Sequence, residues 1–165
     1  MDINNNPIFK KNTNFDEALP FDKIKAEHFI PAIESSIQMA KIFIDEITAS
    51  KETPTFENTV LALENASEHL DMAASAYYHL FSSEAGKEIE ELSQKISPML
   101  AEFSNDIYLN DKLFERISEI ENNCNSNTKE EKRLIKVYYR RFVRNGAALG
   151  GDDKKKLREI DSKLS

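Results

Sequence analysis

Turn-forming residues are scarce in this sequence: four glycines and five prolines in 165 residues. A strand-rich sandwich needs many turns, so this scarcity argues against one and predicts long helices. Cysteine is scarcer still. Cys124 stands alone, so an intramolecular disulfide is excluded, and the absence of a disulfide framework suits a reducing cytoplasm. No run approaches the ~20 apolar residues of a membrane-spanning helix, and the polar stretch from Met1 to Asn14 lacks a signal-peptide core. Basic charge is in short supply too. There are 22 Lys and Arg against 29 Asp and Glu, a net charge of −7, which argues against nucleic acid and anionic membranes as general partners.

Apolar residues make up 40% of the chain and charged residues 31%, a balance that folds rather than stays disordered. The length fits one domain, residues 1–165, with a sizeable core. Residues 1–20 read as an extended arm, because Pro7, Pro20 and a cluster of asparagines oppose helix. Ile8, Phe9, Phe15, Leu19 and Phe21 make that arm apolar enough to lie against a folded body. Asp22 is placed to cap a short turn running to His28. Pro31 suits the first turn of a helix, in which Ile33, Ile37, Ala40, Ile44 and Ile47 recur at helical spacing up to about Ser50.

Thr55 is placed to cap the next element, with Glu57 in its first turn. Phe56, Val60, Leu63, Ser67, Leu70, Ala74, Tyr77 and Phe81 then step by four and three. Together they predict one helix of about 26 residues, ~39 Å long at 1.5 Å per residue. Its expected antiparallel partner runs from Glu84 to about Tyr108, striped by Ile89, Leu92, Ile96, Leu100, Phe103 and Ile107 and carrying Pro98 inside, where a kink is expected. Asn110 is placed to cap a helix with Leu113, Ile117 and Ile120 inward, and residues Asn122–Asn127 read as a linker. Asn127 or Thr128 starts a helix that carries Leu134, Val137, Tyr138 and Phe142 and is expected to reach Leu149, with Gly150-Gly151 as the breaker. Asp152 opens a last helix with Leu157, Ile160 and Leu164 on one side. Its apolar pattern is still running at Ser165, which predicts that a longer chain follows. The fold class is therefore all-α: an array of about six or seven helices with long antiparallel pairs behind an extended N-terminal arm. No internal repeat of fixed period stands out.

Catalytic constellations are missing. A helical zinc peptidase motif needs two histidines at i and i+4 with a glutamate beside the first, so that both rings face one metal and the carboxylate activates its water. Of His28, His69 and His79, no two have that spacing. His69 and His79 on one straight helix would stand roughly 15 Å and about 80° apart. The serines show no nucleophile elbow, and there is no glycine-rich phosphate loop. Carboxylate pairs such as Glu90-Glu91 and Asp152-Asp153 read as solvated helix faces. No catalytic residue and no metal ligand is assigned.

One charge anomaly stands out. Residues 129–144 hold seven of the chain's 22 basic residues and only two of its 29 acidic ones. Lys132, Lys136, Arg140 and Arg144 form an i, i+4 row, interleaved with Tyr138, Tyr139 and Phe142. The row is a candidate interaction surface for an acidic protein or an RNA. The plainer reading, favoured by the acidic background, is a solvated face or one packed near acidic helices such as Glu84 to Glu102; a third is a face turned toward a further part of a longer chain.

Several segments, in order, resemble the N-terminal region of the thimet-oligopeptidase type of zinc peptidase. They are Asn6-Pro7-Ile8-Phe9, then Leu19-Pro20-Phe21-Asp22-Lys23-Ile24 and His28-Phe29-Ile30-Pro31-Ala32. Pro54-Thr55-Phe56-Glu57-Asn58-Thr59 follows, with Ala62-Leu63-Glu64 close behind. Ile96-Ser97-Pro98 and Ile107-Tyr108-Leu109-Asn110 come next, then the run from Tyr138 to Ala147. The resemblance implies an almost wholly helical region that walls or roofs a channel for short peptides. It implies zinc in the parent enzyme, held by an H-E-x-x-H helix and a further glutamate in a C-terminal catalytic half. Those ligands are not in this sequence, so the resemblance implies no cofactor in this chain and no activity by it alone. The implied partners are the catalytic half and short peptides, with no nucleic acid or membrane.

Overall fold

The computed structural model describes residues 5–10, 18–83, 86–123 and 127–164. Phe15, Glu84 and Cys124, which figured in the sequence reading, lie outside them. The described residues contain no strand. The α-helices are α1 (Phe29–Ala49), α2 (Ala62–Ala66), α3 (Glu68–Ser83), α4 (Lys87–Tyr108), α5 (Asp111–Asn123), α6 (Lys129–Arg144) and α7 (Gly151–Leu164). A π-helical turn, Phe56–Leu61, precedes α2. Contacts group the chain into two compact units, one of residues 1–41 and 66–97, the other of residues 42–65 and 98–165.

In the first unit the arm is tied down by its own polar group. Asn6 is buried; its Nδ2 donates to the His28 carbonyl at 2.8 Å, and its Oδ1 accepts the Ile8 N–H at 3.1 Å. Residues 5–10 therefore form a turn, and Ile8 is fully buried. Asp22 does not cap the turn before α1. That turn is a short 3₁₀ helix, Ala26–His28, and the Lys25 N–H donates to His28 Nδ1 at 2.9 Å. Ile33, Ile37 and Ala40 of α1 are buried as their spacing predicts. Tyr77 of α3 is wholly buried, its ring edge-on to Phe29 at 5.6 Å. Its hydroxyl donates to the Ile89 carbonyl of α4 at 3.2 Å. Burial, then the neighbouring Tyr78, raise the Tyr77 pKa.

The long helix expected from Phe56 to Phe81 is not continuous. It opens as the π-helical turn and is interrupted at Ser67 between α2 and α3. At the wide turn the Ala62 N–H reaches the Glu57 carbonyl, five residues back. Buried positions also differ from the expected stripe. Ala66 and Ala73 are buried where Ser67 and Ala74 were expected, while Phe81 is exposed.

The second unit is organised around Arg116 of α5, which is 8% exposed. Its Nε donates to Thr59 Oγ1 at 3.1 Å and its Nη2 to Asn58 Oδ1 at 3.1 Å. Nη1 reaches the carbonyls of Ser50 and Glu52 at 3.2 and 3.3 Å. The receiving loop is itself pre-formed. Thr55 N–H donates to Asn58 Oδ1 at 2.8 Å, and the Asn58 N–H returns to Thr55 Oγ1 at 3.1 Å, a reciprocal cap of the kind Thr55 suggested. Leu113, Ile117 and Ile120 point inward beside Arg116. Asn110 caps α5 through the Leu113 N–H at 3.1 Å.

Helix α6 begins at Thr128, as expected, with a capping box. Glu131 N–H donates to Thr128 Oγ1 and Thr128 N–H to Glu131 Oε2, at 3.2 and 2.9 Å. It ends five residues before the expected Leu149. Gly146 sits at φ +92°, its N–H on the Val143 carbonyl and the Ala147 N–H on the Phe142 carbonyl. This is the Schellman stop, which needs a residue without Cβ. A Cβ there would also meet Leu157 Cδ2 at 2.7 Å. The inward residues are Ile135, Tyr138 and Phe142, with Leu134 and Val137 only half-buried. Phe142 is edge-on to Tyr108 at 5.2 Å and stacked on Phe114 at 6.2 Å.

The linker expected over Asn122–Asn127 starts later, because α5 runs through Asn123. In α7 the expected apolar side is not the buried one. Lys154 is buried, Leu157 half-buried, and Ile160 and Leu164 are exposed. Polar ties turn the helix this way. Lys154 Nζ pairs with Asp111 and donates to the Leu109 carbonyl at 3.4 Å. Arg158 bonds Asp106 Oδ1 at 2.9 Å and the Asn105 carbonyl at 3.2 Å.

Two outcomes test these assignments. Arg116→Ala leaves buried acceptors unpaired, and the chain should lose roughly 3 kcal/mol in a urea titration. Arg116→Lys keeps the charge but not the planar fork, so it should recover only a minor part of that loss. The second concerns acid. Accepting the Thr128 N–H, with help from the Asn127 amide, holds the Glu131 pKa below its ordinary 4.5. The stabilisation by this carboxylate is then complete above pH 4.5 and lost as the pH falls through the lowered folded value. In paired melts, the stability advantage of the native chain over Glu131→Gln should shrink steadily below that pH.

Candidate functional site

The three histidines fall in the first unit, and each is engaged in packing or backbone bonding. His28 Nδ1 accepts the Lys25 N–H. The His69 ring lies 5.6 Å from Phe9 and the His79 ring 5.5 Å from Phe21. Among the described residues, no group of three His, Cys, Asp or Glu side chains is placed to hold a metal ion. No helix among the described residues is long and apolar enough to cross a membrane.

Among the described residues of the second unit, two clefts lie near groups of interest. One, of about 300 Å³, is lined by Pro98, Glu102, Asn105, Arg158 and Ser162. The other, of about 330 Å³, lies beside Pro54–Glu57 and the N-terminal end of α6. Each cleft has one charged group engaged within the fold: Arg158 holds Asp106, and Glu131 closes its capping box. Tyr138 of α6 is a perturbed titratable group in this unit. Burial, then its hydrogen bond to Glu64, push the phenol pKa far above its ordinary value. A hydroxyl held protonated against a carboxylate is a packing device and a poor proton donor at neutral pH.

The basic row lies on α6 of this same unit. Lys136, Arg140 and Arg144 are exposed. Among the described residues, none of the three makes an ion pair. Lys132 differs: it is half-buried and engaged within the chain. The aromatics interleaved with the row are turned away from it. Tyr138 and Phe142 are buried, and Tyr139 stacks on Phe114 at 5.8 Å. Arg141 sits 5.9 Å over the Tyr138 ring.

Two buried cations, Arg116 and Lys154, escaped the sequence reading. For Arg116 a signal existed, since it falls three residues after Leu113 on the inward stripe of α5, where a charge is out of place. Lys154 carried no comparable mark.

No family model matches the chain. Individual proteins do. It is 34% identical over 162 residues to the dipeptidyl carboxypeptidase of Escherichia coli K12 and 31% identical over 162 residues to that of Salmonella typhimurium. Both alignments cover 97% of this chain and 24% of the relative. It is 28% identical over 148 residues to oligopeptidase A of Haemophilus influenzae, covering 88% of this chain and 22% of that protein. The chain thus spans about a quarter of the length of the relatives it matches. Along nearly its whole length, it is related in sequence to one part of the thimet-oligopeptidase-type peptidases.

Proposed function

We propose that this chain is the non-catalytic N-terminal helical domain of a zinc-dependent peptidyl-dipeptidase or oligopeptidase, acting as one domain that walls or roofs a channel for short peptides. One observation carries the reading: alignment over 97% of the chain to only 24% of a dipeptidyl carboxypeptidase. The geometry supports a supporting role. The most elaborate polar network, around Arg116, joins a loop to a helix, and the perturbed tyrosine is sealed against Glu64. Zinc and the catalytic carboxylate then belong to a C-terminal half of the parent. A cytoplasmic location goes with a chain that has one cysteine and no disulfide framework.

A polypeptide of the relatives' full length should cleave short peptides and carry zinc by metal analysis. The 165-residue chain alone should show neither cleavage above background nor bound zinc. Cleavage by the isolated chain, or a natural reading frame ending at Ser165, would sink the proposal.

A further inference from the structure

The exposed part of the basic row is a helix face with an apolar residue at its edge. Lys136, Arg140 and Arg144 repeat every four residues, so neighbouring side chains start about 5–6 Å apart. Val143 lies beside them, about 20° around the helix from Lys136, and is 41% exposed. The opposite side of α6 is consumed by the core through Ile135, Tyr138 and Phe142. The C-terminal end of the helix dipole favours Arg144 and Arg141, but Lys136 lies two turns away and gains nothing from it. The chain as a whole carries net −7, so a cationic face without carboxylate partners among the described residues runs against its surroundings.

Two observations separate the candidate partners. Single-stranded nucleic acid is gripped by cations together with exposed aromatic rings on which bases stack, and the rings interleaved here are packed inward. A protein helix instead offers carboxylates flanking an apolar stripe. Against such a helix, Val143 loses water while the three cations are paired.

We infer that Lys136, Arg140, Val143 and Arg144 form a docking face for an acidic amphipathic protein helix. The inference is independent of the peptidase reading, because it requires no catalysis by any chain.

The test uses the 165-residue chain and a fluorescent helical peptide with a leucine stripe flanked by glutamates. A scrambled peptide of the same composition and a single-stranded RNA serve as comparisons. At low salt the amphipathic peptide should bind more tightly than either. Changing Lys136, Arg140 and Arg144 to Ala together should lower its affinity roughly tenfold, as expected for three surface ion pairs. Val143→Asp should weaken it as well, with circular dichroism unchanged in both variants. Changing the exposed Lys51, Lys155 and Lys156 to Ala removes the same charge elsewhere and should leave binding intact. The inference is overturned by absence of peptide binding, by equal binding of the scrambled peptide, or by preferential binding of RNA. Equal loss in the two triple variants would also overturn it, since that would show only an effect of net charge.

Discussion

A guanidinium buried among neutral acceptors sets the layout of the second unit. Arg116 spends its donors on a threonine hydroxyl, an asparagine amide oxygen and two backbone carbonyls. Burying a cation without a carboxylate is costly unless its donors are satisfied. Here the satisfaction comes from a loop that must hold one shape. The Thr55–Asn58 capping box supplies that shape, and Asn58 Nδ2 adds a bond to the Thr53 carbonyl at 3.0 Å. The wide π-helical turn carries both Asn58 and Thr59 toward the guanidinium. Loop, turn and α5 are thus one device, built from a segment that also carries the resemblance to peptidases.

Local signals in the sequence were legible where one residue type answers one geometric need. Thr55, Asn110 and Thr128 cap as their chemistry suggests, and the isoleucines of α1 lie inward at helical spacing. Expectations failed where two local rules competed. Asn145-Gly146 is a stop signal, yet the apolar Ala147-Ala148-Leu149 behind it reads as more helix; the positive φ of Gly146 decides. In α7 the apolar side should have been buried, but Lys154 and Arg158 find partners on α5 and α4 and orient the helix instead. Such pairings join residues more than forty positions apart, and no local pattern announces them.

The relation to the peptidases was legible through ordered resemblance, and several of the residues that carry it are engaged in the fold. Pro54–Thr59 holds Arg116, Tyr138 is sealed against Glu64, and the segment ending in Gly146-Ala147 terminates α6. The exposed row on α6 is different, since nothing in the second unit's core requires its charge.

The neutrality of the acceptors around Arg116 also sets an order of disassembly. Helix α7 is fastened through the carboxylates of Asp111 and Asp106, the first of them largely in solvent. Salt screens the partner that faces water. A hydroxyl, an amide and backbone carbonyls carry no net charge to screen, and burial shields them from ions. High salt should therefore loosen the last helix first, with the loop still locked onto α5.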